Sequence, residues 1–228
     1  MSNLGLPNKE LRKIIEDFRN TQDTSLLDNF KTEIKPTPDG KWSYDVNAWN
    51  RALLILELFN ESSINDKPLI KWLLDEEIET QEFELSYYAL DVNAFLLYKY
   101  MDLEDVYQLF DAKFSYGNVY HLDVELIFGH DKEEMKDFLK SDEENQLAPM
   151  VLDTILSYEN NPDAKFKSRD EYISYYQNRK IKHIMNDLEA SEKYMRTGKN
   201  LMPSSFPGAR KKKRSTTSDG KKNRGPLT

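Results

Sequence analysis

Apolar side chains in this chain recur at intervals of three and four residues, and that spacing limits what it can fold into. Leu11, Ile14, Ile15 and Phe18 form one face of a helix whose other face is charged. The same spacing returns in Ala48, Trp49, Ala52, Leu53, Leu56 and Phe59, and again in Leu69, Ile70, Leu73, Leu74 and Ile78. Extended character is confined to short stretches around Trp42 to Tyr44 and Phe83 to Tyr88, too short to predict a sheet. The pattern predicts an all-α, multi-helix domain of antiparallel helical hairpins.

Helix punctuation divides the chain further. Pro36 and Pro38 in KPTPDGKW break regular structure after a short helix around Ser25 to Phe30. Asp45 stands where an N-cap belongs, and the next helix is expected to start at Asn65 or Asp66 with Pro68 in its first turn. Asp102 reads as a cap, Val119 to Phe128 as an apolar helix, Gly129 as its stop, and Asp131 as a cap with Glu134 at the capping-box position. Hairpins are thus expected over about 46–81, 85–115 and 118–140. A helix over Leu147 to Tyr158 and a long one over about 168–196 follow, giving a helical domain over 1–200.

Two stretches nearly repeat: DVNAW at Asp45 to Trp49 and DVNAF at Asp91 to Phe95, with an echo, LDVEL, at Leu122 to Leu126. The Asp-Val pairs fall near the first helix of each expected hairpin. Their uneven spacing fits divergent repeats, as in a short irregular HEAT-like α-solenoid, and equally an irregular multi-helix domain. Asp91 and Asp123 follow apolar residues, so each needs a cap, a hydrogen bond or an ion-pair partner.

Charge is distributed unevenly. From Pro207 onward eight Lys or Arg face one acid, a net of +7; because the whole chain carries −8, residues 1–206 carry −15. The segment 201–228 has too few apolar residues to fold and is expected to be a disordered basic tail. Its Arg210, Lys211, Lys212, Lys213, Arg214, Lys221, Lys222 and Arg224 could bind nucleic acid or act as an import signal. The chain has no cysteine, which excludes disulfides, thiolate metal sites and a cysteine nucleophile. No apolar run approaches a membrane span and no signal-peptide core is present, so a soluble cytoplasmic protein is expected, nuclear if the cell is eukaryotic.

Catalytic templates are absent: there is no Gly-rich phosphate loop and no nucleophile elbow. The stretch HLDVELIFGHD gathers metal-ligand types, of which His121, Glu125 and His130 form the candidate set for a metal-dependent hydrolase. Its spacing matches no zinc motif, so no cofactor is expected. The leading expectation is a non-enzymatic interaction module, an acidic scaffold or inhibitor or immunity-type protein that captures a basic protein. Asp75, Glu76, Glu77, Glu79 and Glu125 are its expected surface acids, with Tyr87 and Tyr88 as aromatic anchors. The alternative is a nucleic-acid-associated or nuclear factor that works through the tail.

Overall fold

The spacing of apolar residues becomes a set of helices whose ends follow local chemistry. A computed structural model describes residues 6–41, 43–80, 87–115 and 122–197. The chain divides into two units, Met1–Glu189 and Ala190–Thr228, and the described part of the second is the end of the last helix. The tail residues named above lie outside the described residues.

Helix α1, Asn8–Thr21, buries Leu11, Ile15 and Phe18, and ends where Gln22 takes the left-handed conformation at φ 54° and its N–H returns to the Phe18 carbonyl. A 3-10 helix, Thr24–Phe30, buries Leu27 and Phe30. Two short strands, β1 (Ile34–Pro36) and β2 (Ser43–Asp45), pair antiparallel with Lys35 opposite Tyr44. Helix α2 is Ala48–Glu61, and α3 is Lys67–Glu79 with Pro68 in its first turn. A 3-10 turn, Ile64–Asp66, leads into α3 through a reciprocal capping box between Ser63 and Asp66. The turn is tied to α1 by Arg19, whose Nη2 donates to Asp66 Oδ2 at 2.9 Å.

Helix α4, Tyr87–Tyr100, is the core of the unit. Ala89, Leu90, Val92, Ala94, Phe95, Leu96, Leu97 and Tyr98 are all buried, so the helix has no solvent face along most of its length. Helices α2 and α3 pack against it, as does α5, Val106–Phe114. Then come α6 (Lys132–Ser141) and α7 (Ala148–Glu159), which pack on each other. A last helical arm comprises α8 (Arg169–Tyr175), a π turn (Tyr176–Lys180) and α9 (Ile181–Thr197). The Tyr176 ring stacks on Phe95 of α4 at 3.8 Å between centroids, and Tyr172 meets Tyr98 edge-on at 5.4 Å.

The chain is all-α, as its periodicity indicates; among the described residues the two three-residue strands are its only sheet. Three details differ from the expectations. The described part of Val119 to Phe128 is only a 3-10 turn, Val124–Ile127, with Leu122, Leu126, Ile127 and Phe128 all buried. Asp45 is no helix cap, because α2 starts after Asn47 and Asp45 closes β2. DVNAW spans a strand end and a helix start, whereas DVNAF lies wholly inside α4, so the same letters serve different local structures. Helix α4 meets α2 of the preceding hairpin and also the arm some eighty residues later.

Phe95 sits at the junction of α4 and the arm, fully buried, against Phe59, Tyr172 and Tyr176. Phe95→Ala is expected to cost about 3–5 kcal/mol. In thermal unfolding followed by circular dichroism this should lower Tm by on the order of 10 °C; a shift under about 2 °C would show that the arm does not seal the core.

Candidate functional site

Each of the three Asp-Val acids is held by a cation. Asp45 pairs with Arg51, and Asp91 and Asp123 share Lys180, whose Nζ lies 3.0 Å and 2.7 Å from their oxygens. The shared pair joins α4, the residue before the 124–127 turn and the end of the π turn. The Tyr172 hydroxyl donates to Asp123 at 3.0 Å. Lys113, buried in α5, donates to the Leu122 carbonyl at 2.5 Å beside this cluster. Burial drives the Tyr172 and Tyr176 hydroxyls well above their ordinary range, so neither ionises near neutrality. The motif therefore marks ion-paired architecture.

A second buried charge group lies between α2 and the end of α3. The Arg51 side chain is fully enclosed; its Nε donates to Glu77 at 2.7 Å, Nη1 to the Phe30 carbonyl at 3.1 Å, and Nη2 to Asp45 and to Thr80 Oγ1. Asp45 also accepts the Glu33 and Asn47 N–H groups, each at 3.0 Å. Glu77 has one oxygen on Arg51 and the other, Oε2, buried without a hydrogen bond. One guanidinium thus faces two carboxylates, and burial pushes the less well-bonded Glu77 up to about 7 against the pull of Arg51.

These placements revise the expected surface acids. Glu77 is fully buried because position 77 continues the apolar stripe of Ile70, Leu73 and Leu74. Glu125 is buried too, inside the 3-10 turn, with Lys167 Nζ at 3.2 Å. Burial removes both from any contact surface. Glu76 is half-buried and accepts the Thr32 N–H at 2.5 Å. Asp75 and Glu79 are exposed one turn apart on α3. Tyr88 is half-buried against the core, and the Tyr87 side chain lies outside the described residues. Of the candidate metal ligands, His121 lies outside the described residues, and the His130 Nε2 meets the Met101 carbonyl oxygen at 2.7 Å. Among the described residues no group of three His, Asp or Glu is arranged to hold a metal.

An acidic face remains where α5 packs on α3. Gln108 donates to Asp75 at 2.6 Å and to the Lys71 carbonyl at 2.8 Å, which brings α5 and its exposed Asp111 beside Asp75. Partial burial raises Asp75; the Gln108 hydrogen bond and Lys71 oppose this, and the Asp111 and Glu76 charges add to it. The lysines of α3 are engaged elsewhere, since Lys67 and Lys71 both reach Asp105. Asp75, Glu79 and Asp111 therefore form no salt bridge among the described residues, although Lys71 still attracts Asp75 from one turn away. Asp111 is absent from the sequence-derived set, although its place opposite the apolar positions of α5 marks it as surface. Nothing local in the sequence points to Lys180, which lies 89 residues from Asp91.

No family model matches this chain, and no curated protein or solved structure matches it.

The buried acids fix a pH dependence of stability. Burial holds Glu77 at about 7 and Asp91 at about 6, above their ordinary 4.5 and 3.8. The folded chain then binds more protons than the unfolded chain between about pH 4 and 7, so their contribution is full below that range and is lost as pH rises through 6 and 7. Asp105 acts oppositely: burial pushes it up, but hydrogen bonds from Lys67 and Lys71 outweigh this and hold it low, so its contribution is lost below its ordinary 3.8. Urea midpoints are expected to rise from pH 8 to pH 5 and fall below about pH 4. Glu77→Gln and Asp91→Asn should each flatten the upper limb; an unchanged slope in both would show that these acids stay ionised.

Proposed function

We propose that this chain is a non-enzymatic protein-interaction module, an acidic helical scaffold or inhibitor that captures a basic protein segment on the α3–α5 face. The observation that carries the reading is Asp111 beside Asp75, with Glu79 one turn further along α3, all exposed and without a salt bridge among the described residues, in a body of net charge −15. Like-charged carboxylates held together repel one another, and a cation brought between them relieves that repulsion. Long-range attraction from an acidic body also speeds encounter with a cationic partner. As part of the same proposal the protein works in the cytoplasm, or in the nucleus of a eukaryotic cell, a placement supported by its cysteine-free sequence. Among the described residues no helix is long and apolar enough to cross a membrane. A second reading, nucleic-acid association through the tail, is supported by the +7 of residues 207–228.

The test uses labelled Lys/Arg-rich peptides titrated into the full chain at two salt concentrations. Exposed ion pairs are worth up to about 1 kcal/mol each, so Asp75→Lys, Glu79→Lys and Asp111→Lys together should weaken binding at least roughly tenfold. The salt dependence should flatten while Tm stays within a few degrees. Equal affinity of parent and variant would remove the acidic face from the binding surface.

A further inference from the structure

Positive charge in the described body is segregated. Across α1 to α7 most cations are taken by carboxylates, as in Arg19–Asp66, Lys71–Asp105 and Lys136–Glu159. Residues 165–182 reverse the balance, with six Lys or Arg against two acids. Lys165, Arg179 and Lys182 there are exposed and have no carboxylate partner among the described residues.

An open groove of about 1010 Å³ runs along this segment, between the loop that precedes α8 and the outer side of the π turn. Lys165, Lys167 and Arg179 line it, together with the half-buried rings of Phe166 and Tyr175 and the polar Ser174. Lys167 has its Nζ 4.6 Å from the centre of the Tyr175 ring and 3.2 Å from Glu125, which leaves Lys165 and Arg179 as the unpaired cations of the groove. Two acids share the lining: Glu171 is bonded to the Ser168 N–H and hydroxyl, and Asp170 is exposed. The elements that carry the groove are anchored at both ends: the Ser168–Glu171 capping box starts α8, and Lys180, one residue from Arg179, pairs with Asp91 and Asp123.

We propose that this groove binds single-stranded nucleic acid. Cations spaced along a channel follow a phosphate backbone, and half-buried aromatic rings give bases a surface against which to stack without regard to sequence. A folded basic protein would be repelled by the free cations here and is drawn instead to the α3–α5 face, so the two surfaces sort partners by charge. The groove lies within residues 165–179 and acts independently of the tail. The residue that opposes binding is Asp170, which stands in the path of the phosphates.

The experiment uses the full chain with the eight tail Lys and Arg replaced by Gln, so that only the groove contributes, and a fluorescein-labelled 12-nucleotide oligo-dT followed by anisotropy. Two free cations, Lys165 and Arg179, predict a slope of log affinity against log salt of roughly −1.4. In the same background Lys165→Glu with Arg179→Glu should lose at least tenfold in affinity and leave a slope shallower than −1, while Asp170→Asn should strengthen binding by roughly 2- to 5-fold. Melting curves of the variants within a few degrees of the parent show that the fold is intact. Absence of binding in the tail-neutralised chain overturns the proposal. So does equal affinity of the double variant, or displacement of the oligonucleotide by polyglutamate at the same charge concentration, which would mark an acidic-peptide site. None of these substitutions touches Asp75, Glu79 or Asp111, so each surface can fail without the other.

Discussion

The enclosed guanidinium of Arg51 sets the terms for the N-terminal half. A charge taken out of water is tolerated only where its donors find acceptors, and Arg51 finds four acceptors on three different pieces of chain: Phe30, Asp45, and Glu77 with Thr80. The 3-10 helix, β2 and the end of α3 must all be in place at once around α2. The small hairpin, too short to be stable by itself, is explained by this demand: it delivers Asp45 to Arg51 and is anchored in return. A hydrophobic side chain at position 51 would pack against these elements without fixing their register, whereas the ion pairs accept only one alignment of α2 on α3.

The C-terminal half repeats the same electrostatic arrangement with a lysine. Lys180 stands between two carboxylates as Arg51 does, and each group leaves one acid more than its cation can neutralise. Both clusters flank α4 and its apolar packing, one toward α2 and α3 and the other toward the arm. Helix α4 itself is held by side chains buried on all its sides, with Asn93 donating to the Ile70 carbonyl of α3 at 3.1 Å. Stability and charge placement are thus coupled, because the groups that join the helices are the ones that titrate near neutrality.

Much of this architecture is legible in the order of the amino acids. The spacing of Leu11 to Phe18, of the Ala48 stripe and of Leu69 to Ile78 locates α1, α2 and α3, and Pro68 and Asp131 mark starts that α3 and α6 respect. The buried charges carry a signal as well. Glu77 follows Ile70 by seven and Leu74 by three, and Arg51 precedes Ile55 by four, so each charge sits on an apolar stripe and calls for the other. Assigning Glu77 and Glu125 to a solvated face overlooks that phase. What no local pattern conveys is pairing across distance: Asp91 with Lys180, or Asp75 with Asp111, depends on how whole helices pack. Val119 to Phe128 misleads for a different reason, since Leu122, Val124, Leu126 and Phe128 alternate with other residues while Leu126 and Ile127 adjoin, a spacing that fits neither a clean helix face nor a strand.

The π turn at Tyr176–Lys180 has a consequence for the geometry of the whole arm. Side chains four apart on an α-helix drift by about 40° around the axis, and a wider turn reverses that drift. Tyr172, Tyr176 and Lys180 can therefore line up toward α4 and the Asp91–Asp123 pair, while Ile181 and Ile184 still turn inward below them. The arm behaves as a threaded rod whose pitch is corrected once, at one place. Shortening it there by a single residue would rotate everything beyond by about 100°, carrying Ile181 and Ile184 out of the core.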